Sequence, residues 1–280
     1  MAAQPRRTVV ISGATSGMGR ATALARLDRG DTVIAIGSSA ARGRSLVEQA
    51  AAGDRLCFVH ADLSSVAENE RVVAEIGRDN PVVDALVLFA NRPSPRRVET
   101  AEGLEHTFAL YYLSRYLLAR GLTPALDAAA DPVVVSVAGV GTTAGSIHWD
   151  DLQLTRRYGT VRAQLQAGRA NDLLGVAFAE QHAGRARFVL YHPGFTRSGD
   201  LSPLNPLARA VIRSLARVAA RPVAEAIEPI HGFLDHPPRE ALTAVDRGTL
   251  VDPSLPTLNR KDALRLARVT EDLLRTLRAG

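Results

Sequence analysis

One short segment, Thr8–Gly30, constrains the fold of this chain more than any other. It begins with an apolar run, continues as Ser-Gly-Ala-Thr-Ser-Gly-Met-Gly at residues 12–19 and then becomes helical as far as Gly30. Glycines allow a tight turn and a close approach of the backbone to phosphate oxygens, and the N–H groups at a helix N-terminus attract anions. The order of strand, glycine turn and helix predicts a site for the pyrophosphate of a dinucleotide, rather than glycines that serve packing alone. The residues expected to hold the phosphates are Gly13, Thr15, Ser16, Gly17, Met18 and Gly19.

Short β-branched runs alternate with helical stretches along the rest of the chain. The expected strands are Thr8–Ser12, Thr32–Ile36, Leu56–His60, Ala85–Ala90, Pro132–Val137 and Arg187–Tyr191. The expected helices are Ser16–Arg29, Ala41–Ala52, Ser65–Arg78, Ala101–Leu126, Val161–His182, Pro206–Ala219 and Arg260–Arg278. Such alternation is typical of βαβ units, and strands that are apolar throughout are covered by helices on both faces. The pattern predicts an α/β fold with a Rossmann-type, doubly wound parallel sheet in three α/β/α layers.

No repeat, low-complexity tract or linker divides the chain. We therefore expect a single domain over residues 1–280. Residues 195–246 are interpreted as an insertion-like lid region on the substrate side of that domain.

Charge and composition limit the partners. The chain has 280 residues with 34 basic and 29 acidic side chains, so its formal net charge is +5. The basic residues are spread along the chain without interleaved aromatics, which argues against nucleic-acid binding and favours an anionic substrate or cofactor. No apolar run approaches the ~20 residues of a membrane span, and residues 1–7 are too short and polar for a secretory signal. With Cys57 as its one cysteine, a cytoplasmic protein that does not bind membranes is expected.

Side chains after the second strand indicate which dinucleotide the site prefers. NAD enzymes usually place an acidic residue there, which holds the ribose 2′-hydroxyl. This chain has Ser38 and Ser39 at that place, with Arg42 and Arg44 just beyond. Hydroxyls and guanidinium groups suit a 2′-phosphate, so NADP(H) is favoured over NAD(H), unless both arginines lie on a solvated helix face. Asp62, after the third strand, could hold the adenine amino group or cap the helix that follows.

The spacing Gly13-x3-Gly17-x-Gly19 resembles that of the short-chain dehydrogenase/reductase superfamily. Residues 61–63 are similar to the family's adenine-site motif, residues 84–91 to its fourth strand and residues 133–139 to its fifth strand, which carries the catalytic serine. Residues 192–194 look like the turn that packs near the nicotinamide, and residues 151–158 resemble the retinol-dehydrogenase-like branch. The resemblance covers about residues 7–200.

The resemblance implies a nicotinamide dinucleotide, a small-molecule substrate and a set of further contacts. The cofactor contacts that it adds are Asp62, Leu63, Ala90, Asn91, Pro193, Gly194 and Thr196. The family commonly assembles through the helices that correspond to Ala101–Leu126 and Val161–His182, so a homodimer or homotetramer is expected.

Two departures from the family pattern bear on the chemistry. The family's reaction uses a tyrosine as general acid or base, and a lysine four residues later lowers the pKa of that tyrosine and holds the nicotinamide ribose. Alignment places Gln164 where the tyrosine belongs and Gly168 where the lysine belongs. Lys261 is the only lysine, and no tyrosine has a lysine four residues later, so a shifted alignment does not restore the pair. A glutamine amide is not an acid near neutral pH, which argues against the family's usual ketone reduction.

The candidates for catalysis in this altered site are Ser136, Gln164, Tyr111 and Tyr158. Ser136 could hydrogen-bond a substrate oxygen or be structural, and it has no flanking histidine and acid that would make it a hydrolytic nucleophile. Tyr111 replaces an asparagine of the family and could face the nicotinamide or fill volume. Tyr158 has Arg162 four residues later, and a guanidinium could lower the pKa of a phenol. The resemblance, however, places Tyr158 outside the catalytic pair.

No metal site is expected. His148, Asp150 and Asp151 lie close together in sequence, but their spacing is too loose for a set of metal ligands.

These observations leave two functions open. The first is an atypical enzyme that binds NADP(H) and acts on a small hydrophobic or polyketide-like molecule. It would be an altered oxidoreductase or a non-redox cyclase, dehydratase or isomerase whose nucleotide is structural or vestigial. The arginine- and alanine-rich composition suggests a GC-rich bacterial genome, where secondary metabolism is a fitting context. The alternative is a catalytically inactive homologue that senses the nucleotide or pairs with an active relative.

Overall fold

An eight-stranded sheet forms the middle layer of the protein. The computed structural model describes residues 6–194 and 221–279. The strands are β1 (Thr8–Ser12), β2 (Thr32–Gly37), β3 (Leu56–His60), β4 (Ala85–Leu88), β5 (Val133–Val137), β6 (Arg187–His192), β7 (Leu242–Asp246) and β8 (Thr249–Leu250). Their order is β3-β2-β1-β4-β5-β6-β7-β8, with β8 antiparallel to β7 and all other neighbours parallel. The strand order therefore reverses between β1 and β4, where doubly wound folds bind their ligands.

Helices cover both faces of this sheet. They are α1 (Gly17–Asp28), α2 (Ala40–Ala50), α3 (Val66–Asp79), α4 (Ser114–Gly121), α5 (Thr123–Asp127), α6 (Thr160–Gln181), α7 (Val223–Asp235) and α8 (Arg260–Ala279). Successive residues of a strand point to opposite faces. Val9 and Ile11 thus pack with α1, α2 and α7, whereas Val10 packs with α3, α4, α6 and α8. The predicted three-layer α/β/α architecture is confirmed.

The expected strands are all present, and their ends differ from the prediction by at most two residues. The expected helix Pro206–Ala219 lies outside the described residues. Within the predicted lid region, residues 223–235 form α7 and residues 242–246 form β7, which pairs with β6. Neither element was predicted, since Pro229 interrupts the helical pattern and β7 is short and only partly apolar. The role of residues 195–246 as a lid stays a prediction.

The expected helix Ala101–Leu126 is wrong in its first turn. Gly103 has a φ of +77°, and the carboxylate of Glu105 accepts the N–H groups of Thr107 and Phe108. The helix consequently begins only after Glu105, where that carboxylate satisfies N–H groups that lack helical partners. A π-helical turn at Phe108–Leu113 then leads into α4.

The C-terminal helix α8 lies across α4 and α6. The hydroxyl of Tyr112 is 2.7 Å from that of Thr270, and Tyr116 donates to Glu271 at 3.2 Å. An ion pair joins Arg260 of α8 to α6 at a distance of 2.6 Å. The helix α8 thus contacts the two helices through which relatives are expected to assemble. The homodimer or homotetramer stays a prediction. Among residues 6–194 and 221–279, no helix is both long and apolar enough to cross a membrane.

Two glycines of α6 give a matched test of this packing. A Cβ atom built on Gly168 meets nothing within 4 Å, whereas one on Gly175 lies 3.0–3.1 Å from three carbons of Leu190. Alanine at a helical glycine gains about 1 kcal/mol from backbone entropy when there is room for the methyl group. We expect Gly168→Ala to raise the free energy of unfolding by about 1 kcal/mol.

Gly175→Ala serves as the matched control, because its methyl group collides with Leu190. We expect it to be at least about 1 kcal/mol less stable than Gly168→Ala. Urea unfolding followed by circular dichroism measures both values, and equal stabilities would contradict the packing of α6 on β6.

Candidate functional site

The glycine turn after β1 is packed tightly against neighbouring backbone. Gly13 has a φ of +72°, and a Cβ atom on it would lie 2.9 Å from the amide nitrogen of Ala90. A Cβ atom on Gly19 would lie 2.3 Å from the carbonyl oxygen of Gly13. Ser16 is the N-cap residue of α1, yet its side chain makes no capping hydrogen bond within the described residues. The first N–H groups of α1 thus lack a side-chain cap, which suits a phosphate.

The end of β2 lies against this turn. A Cβ atom on Gly37 would be 2.6 Å from the methyl carbon of Thr15, so the bare backbone of Gly37 is needed for that side chain. The hydroxyl of Ser39 accepts the N–H of Arg42 at 3.3 Å and caps α2. Ser38 and the side chains of Arg42 and Arg44 are exposed at the start of α2. Their contact with a 2′-phosphate stays a prediction.

Asp62 forms a local turn after β3. Its Oδ1 atom accepts the N–H of Ser64 at 2.9 Å and the hydroxyl of Ser64 at 2.7 Å. Ser65, rather than Asp62, is the N-cap residue of α3, because its hydroxyl accepts the N–H of Glu68. Asp62 is exposed and Leu63 is buried. Their contact with an adenine ring stays a prediction.

A buried arginine connects the ends of β4 and β5. Ser136, paired with Leu88 in the sheet, accepts a hydrogen bond of 2.8 Å from Nη1 of Arg115. The same nitrogen donates to the carbonyl of Val137 at 3.0 Å, and Nη2 donates to the carbonyl of Ala90 at 3.4 Å. Arg115 is 0% exposed. The sequence prediction missed this residue, although a lone arginine within the apolar residues 108–119 was a usable signal.

The charge of Arg115 has no carboxylate partner among the described residues. Burial lowers the pKa of its guanidinium to about 10, so the group is still charged at neutral pH. Its Nε atom is buried without a hydrogen-bond partner. Burial of an ion without a counter-ion costs of the order of several kcal/mol, and such groups occur preferentially at functional sites. Ser136 is also 0% exposed, and because its oxygen accepts from this cation, its O–H is left to donate to a different acceptor.

The ring of Tyr111 packs against the guanidinium of Arg115. The guanidinium carbon of Arg115 lies 4.7 Å from the centre of the Tyr111 ring. Burial raises the pKa of the Tyr111 phenol, so the hydroxyl stays protonated near neutral pH. Its carbonyl, within the π-helical turn, accepts a hydrogen bond of 2.8 Å from Asn171 of α6. The structure thus brings Tyr111 and Ser136 together through Arg115.

Gln164 and Asn91 form a reciprocal amide pair. Nδ2 of Asn91 donates to Oε1 of Gln164 at 2.9 Å, and Nε2 of Gln164 donates to Oδ1 of Asn91 at 3.1 Å. Gln164 is thereby held at the end of β4, next to Ala90. One helical turn later, the Cα of Gly168 faces space that no neighbouring atom fills within 4 Å of a built Cβ. Positions 164 and 168 thus carry no titratable side chain. Their equivalence to the family's Tyr–Lys pair stays a prediction.

The hydroxyl of Tyr158 forms its hydrogen bond with a residue other than Ser136. Its hydroxyl donates to the carbonyl of Ser94 at 2.8 Å, and Thr160 donates to the same carbonyl at 2.9 Å. Burial raises the pKa of the Tyr158 phenol. Arg162, considered above as a group that could lower the pKa of the Tyr158 phenol, donates from Nε to His148 at 2.9 Å. A catalytic role for Tyr158 stays a prediction.

The loop after β5 is held by a second buried arginine. Nη2 of Arg169 donates to the carbonyls of Thr142 and Ala144 at 3.0 Å and 3.2 Å. Asp172 pairs with Arg169 at 2.5 Å. The loop that follows Ser136 therefore has a defined position, because α6 fixes its backbone.

The end of β6 completes the described part of the site. His192 lies 2.8 Å from a carboxylate oxygen of Asp246 on β7, and Gly194 has a φ of +82°. Pro193 and Gly194 are the last described residues on this side, and Thr196 lies outside the described residues. No group of three or more potential metal ligands occurs in residues 6–194 and 221–279.

Comparison with known proteins agrees with this site, which has a glycine turn, a reversal of strand order beside it and a serine at the end of β5. The family model described as short chain dehydrogenase matches residues 7–150. The chain belongs to this family. "Retinol dehydrogenase 13" of Homo sapiens is 30% identical over 203 residues, which are 69% of this chain and 60% of that protein. This chain therefore spans about three fifths of the length of that relative.

Two further proteins cover more of the chain. "Putative daunorubicin C-13 ketoreductase DnrU" of Streptomyces sp. (strain C5) is 32% identical over 239 residues, or 79% of this chain and 80% of that protein. A short chain dehydrogenase from Shigella flexneri, solved in complex with NADP, superposes with a TM-score of 0.65 over 87% of this chain and 97% of that chain. Its identity is 16%, so the likeness shows the fold alone.

The hydrogen bond between Arg115 and Ser136 can be measured by a double-mutant cycle. Methionine matches much of the length of arginine, so Arg115→Met replaces the buried charge with an apolar side chain. We expect Ser136→Ala to cost about 1–2 kcal/mol of unfolding free energy, because it removes an acceptor from a buried cation. In the Arg115→Met background the same change should cost about 1 kcal/mol less.

Urea unfolding of the wild type, both single variants and the double variant supplies the cycle. Costs that add within about 0.3 kcal/mol would show that Arg115 and Ser136 do not interact.

Proposed function

We propose that this chain binds NADP(H) at the glycine turn and acts on a small hydrophobic or polyketide-like molecule through a site without the Tyr–Lys pair. The observation that carries the proposal is the contact of Ser136 with the buried charge of Arg115. This contact lies at the end of β5, beside a complete phosphate turn. Arg115 is buried and its charge has no carboxylate partner among the described residues, which lowers the free energy of unfolding. A site that has lost its function gains nothing from keeping such a residue.

The residues fit the adenylate part of the cofactor. Gly13 and Gly19 allow a turn so tight that a Cβ atom on either would collide with neighbouring backbone, and the uncapped first N–H groups of α1 suit the phosphates. Arg42 and Arg44 lie where a 2′-phosphate is expected, which supports NADP(H) over NAD(H). When bound, the nicotinamide donates or accepts hydride.

Ser136 and Arg115 would act on a carbonyl oxygen. The O–H of Ser136 is available to donate, because its oxygen already accepts from Arg115. Negative charge that develops on the substrate oxygen is stabilised by this donor and by the nearby guanidinium. Both forms of the proposal need this help, since ketone reduction gives an alkoxide and enolisation in an isomerase, dehydratase or cyclase gives an enolate. The relative named for a ketoreductase supports a ketone as the substrate class.

The amide pair of Asn91 and Gln164 favours a second candidate, an inactive homologue that senses the nucleotide or pairs with an active relative. Neither amide transfers a proton near neutral pH, and each is occupied by the other. Turnover of a natural substrate by the unaltered protein would exclude this candidate. Stoichiometric loss of NADPH in that reaction would exclude the non-redox form.

Nucleotide preference tests the role of Arg42. Removing a charge-assisted hydrogen bond to a phosphate costs about 1.5–3 kcal/mol, which is about 10–100-fold in Kd. We expect Arg42→Ala to weaken NADPH binding by about that factor and to leave NADH binding unchanged. Isothermal titration calorimetry measures both, with the exposed Arg275→Ala on α8 as the matched control. Tighter binding of NADH than of NADPH by the wild type would contradict the proposed cofactor.

Restoring the family's pair tests the scaffold. Gly168 has room for a side chain, so the double variant Gln164→Tyr/Gly168→Lys should fold. We expect it to oxidise NADPH in the presence of simple ketones at a rate well above that of the wild type, because a lysine lowers the pKa of a nearby phenol. Absorbance of NADPH follows the reaction, and Ser136→Ala in the same background should lower the rate at least about 100-fold. No gain in rate would show that more than this pair has been lost.

A further inference from the structure

The side-chain amides of the exposed Asn91 and the half-buried Gln164 bridge the gap between β4 and α6. Asn91 lies just beyond β4, Gln164 lies in the first two turns of α6, and two hydrogen bonds of 2.9 Å and 3.1 Å connect them. Each amide donates one bond and accepts the other, so both orientations are fixed by the same pairing. We call Asn91 and Gln164 the amide clasp.

The clasp lies across the path that the second half of a dinucleotide has to take. In this type of sheet the ligand crosses the point where the strand order reverses, between β1 and β4. Gly13 approaches the backbone of Ala90 so closely that a Cβ atom would come within 2.9 Å of it. Phosphates bound at the turn would lie near Ala90, and the second half of the dinucleotide would have to pass Ala90 and Asn91 to reach Ser136. Gln164 faces Asn91 across this passage.

The polar groups at the base of the passage already make hydrogen bonds with Arg115. Nη1 and Nη2 of Arg115 bind the hydroxyl of Ser136 and the carbonyls of Val137 and Ala90. The ring of Tyr111 lies against the guanidinium. The carbonyl of Ala90 accepts from Arg115, and each amide of the clasp makes one donated and one accepted hydrogen bond with the other. Among the described residues, a ribose and a nicotinamide ring would therefore meet polar groups that are already turned towards one another.

We propose that the amide clasp closes the second half of the nucleotide site, so that the affinity of this chain for NADP(H) comes from the adenosine and phosphate half. The inference rests on the nucleotide site of the proposed function and deepens it. The favoured ligand class is an adenosine nucleotide with a 2′-phosphate and 5′-phosphates. The nicotinamide nucleoside enters only when the clasp opens. The inference favours the non-redox form of the proposed function.

The clasp is weak enough for its opening to be measured. Net contributions of neutral, exposed hydrogen bonds are small, and the loss of two of them corresponds to about tenfold in affinity. Alanine in place of either residue removes both bonds and also shortens a side chain that narrows the passage.

The experiment is a calorimetric comparison of NADPH with adenosine 2′-phosphate 5′-diphosphate, which has the same phosphates and lacks the nicotinamide nucleoside. Each ligand is titrated into the wild type, Asn91→Ala and Gln164→Ala. Gln181→Ala, an exposed glutamine at the other end of α6, is the matched control. The extra charge on the terminal phosphate of the shorter nucleotide is the same for every protein, so it cancels when the proteins are compared.

We expect the wild type and Gln181→Ala to bind the two nucleotides with dissociation constants within about threefold of each other. Asn91→Ala and Gln164→Ala should bind NADPH about tenfold more tightly than the wild type does and should bind the shorter nucleotide as before. The fluorescence of the reduced nicotinamide should rise on binding to these two variants and change little with the wild type.

Other outcomes overturn the inference in distinguishable ways. If the wild type binds NADPH at least about tenfold more tightly than the shorter nucleotide, the passage is open and the proposed function stands. If the wild type binds both equally and the variants do not tighten NADPH binding, the clasp is not the cause. If no protein binds either nucleotide, the nucleotide site of the proposed function fails, and the inference fails with it.

Discussion

The guanidinium of Arg115 joins the ends of β4 and β5 from inside the fold. It donates to the carbonyls of Ala90 and Val137 and to the hydroxyl of Ser136, and it is fully buried. The cost of burying this charge has to be met by the rest of the core, because no carboxylate among the described residues pairs with it. The orientation of Ser136, the position of Tyr111 and the backbone on which Asn91 stands all depend on this one side chain.

The positive charge next to Ser136 comes from α4. Arg115 donates to the hydroxyl of Ser136 from within the core, whereas Gln164 and Gly168 of α6 bring no charge to this region. A Cβ atom built on Gly168 would meet nothing within 4 Å. The electrostatics around Ser136 are therefore set from α4 rather than from α6.

The helix α8 contributes to the same face of the sheet. Its contacts with Tyr112 and Tyr116 connect it to the π-helical turn and α4, which carry Tyr111 and Arg115. Asn171 of α6 supports the carbonyl of Tyr111 from the other side. α8 and α6 thus both contact the π-helical turn, and π-helical turns are frequent at functional sites. Changes in α8 can reach Ser136 through this packing without touching the ligand.

The sequence by itself determined the class of fold, the strands and the glycine turn, and it showed that no tyrosine is followed by a lysine four residues later. These features are local, since apolar runs, glycine spacing and residue identity need no knowledge of the rest of the chain. It missed α7, β7 and the start of the helix after Glu105, where side-chain contacts outweigh the hydrophobic pattern. Only the tertiary structure showed that Arg115 lies under Ser136 and that Gln164 pairs with Asn91, 73 residues away along the chain. Such contacts join separate helices and strands, and they are decided by how the elements pack rather than by the pattern within any one of them.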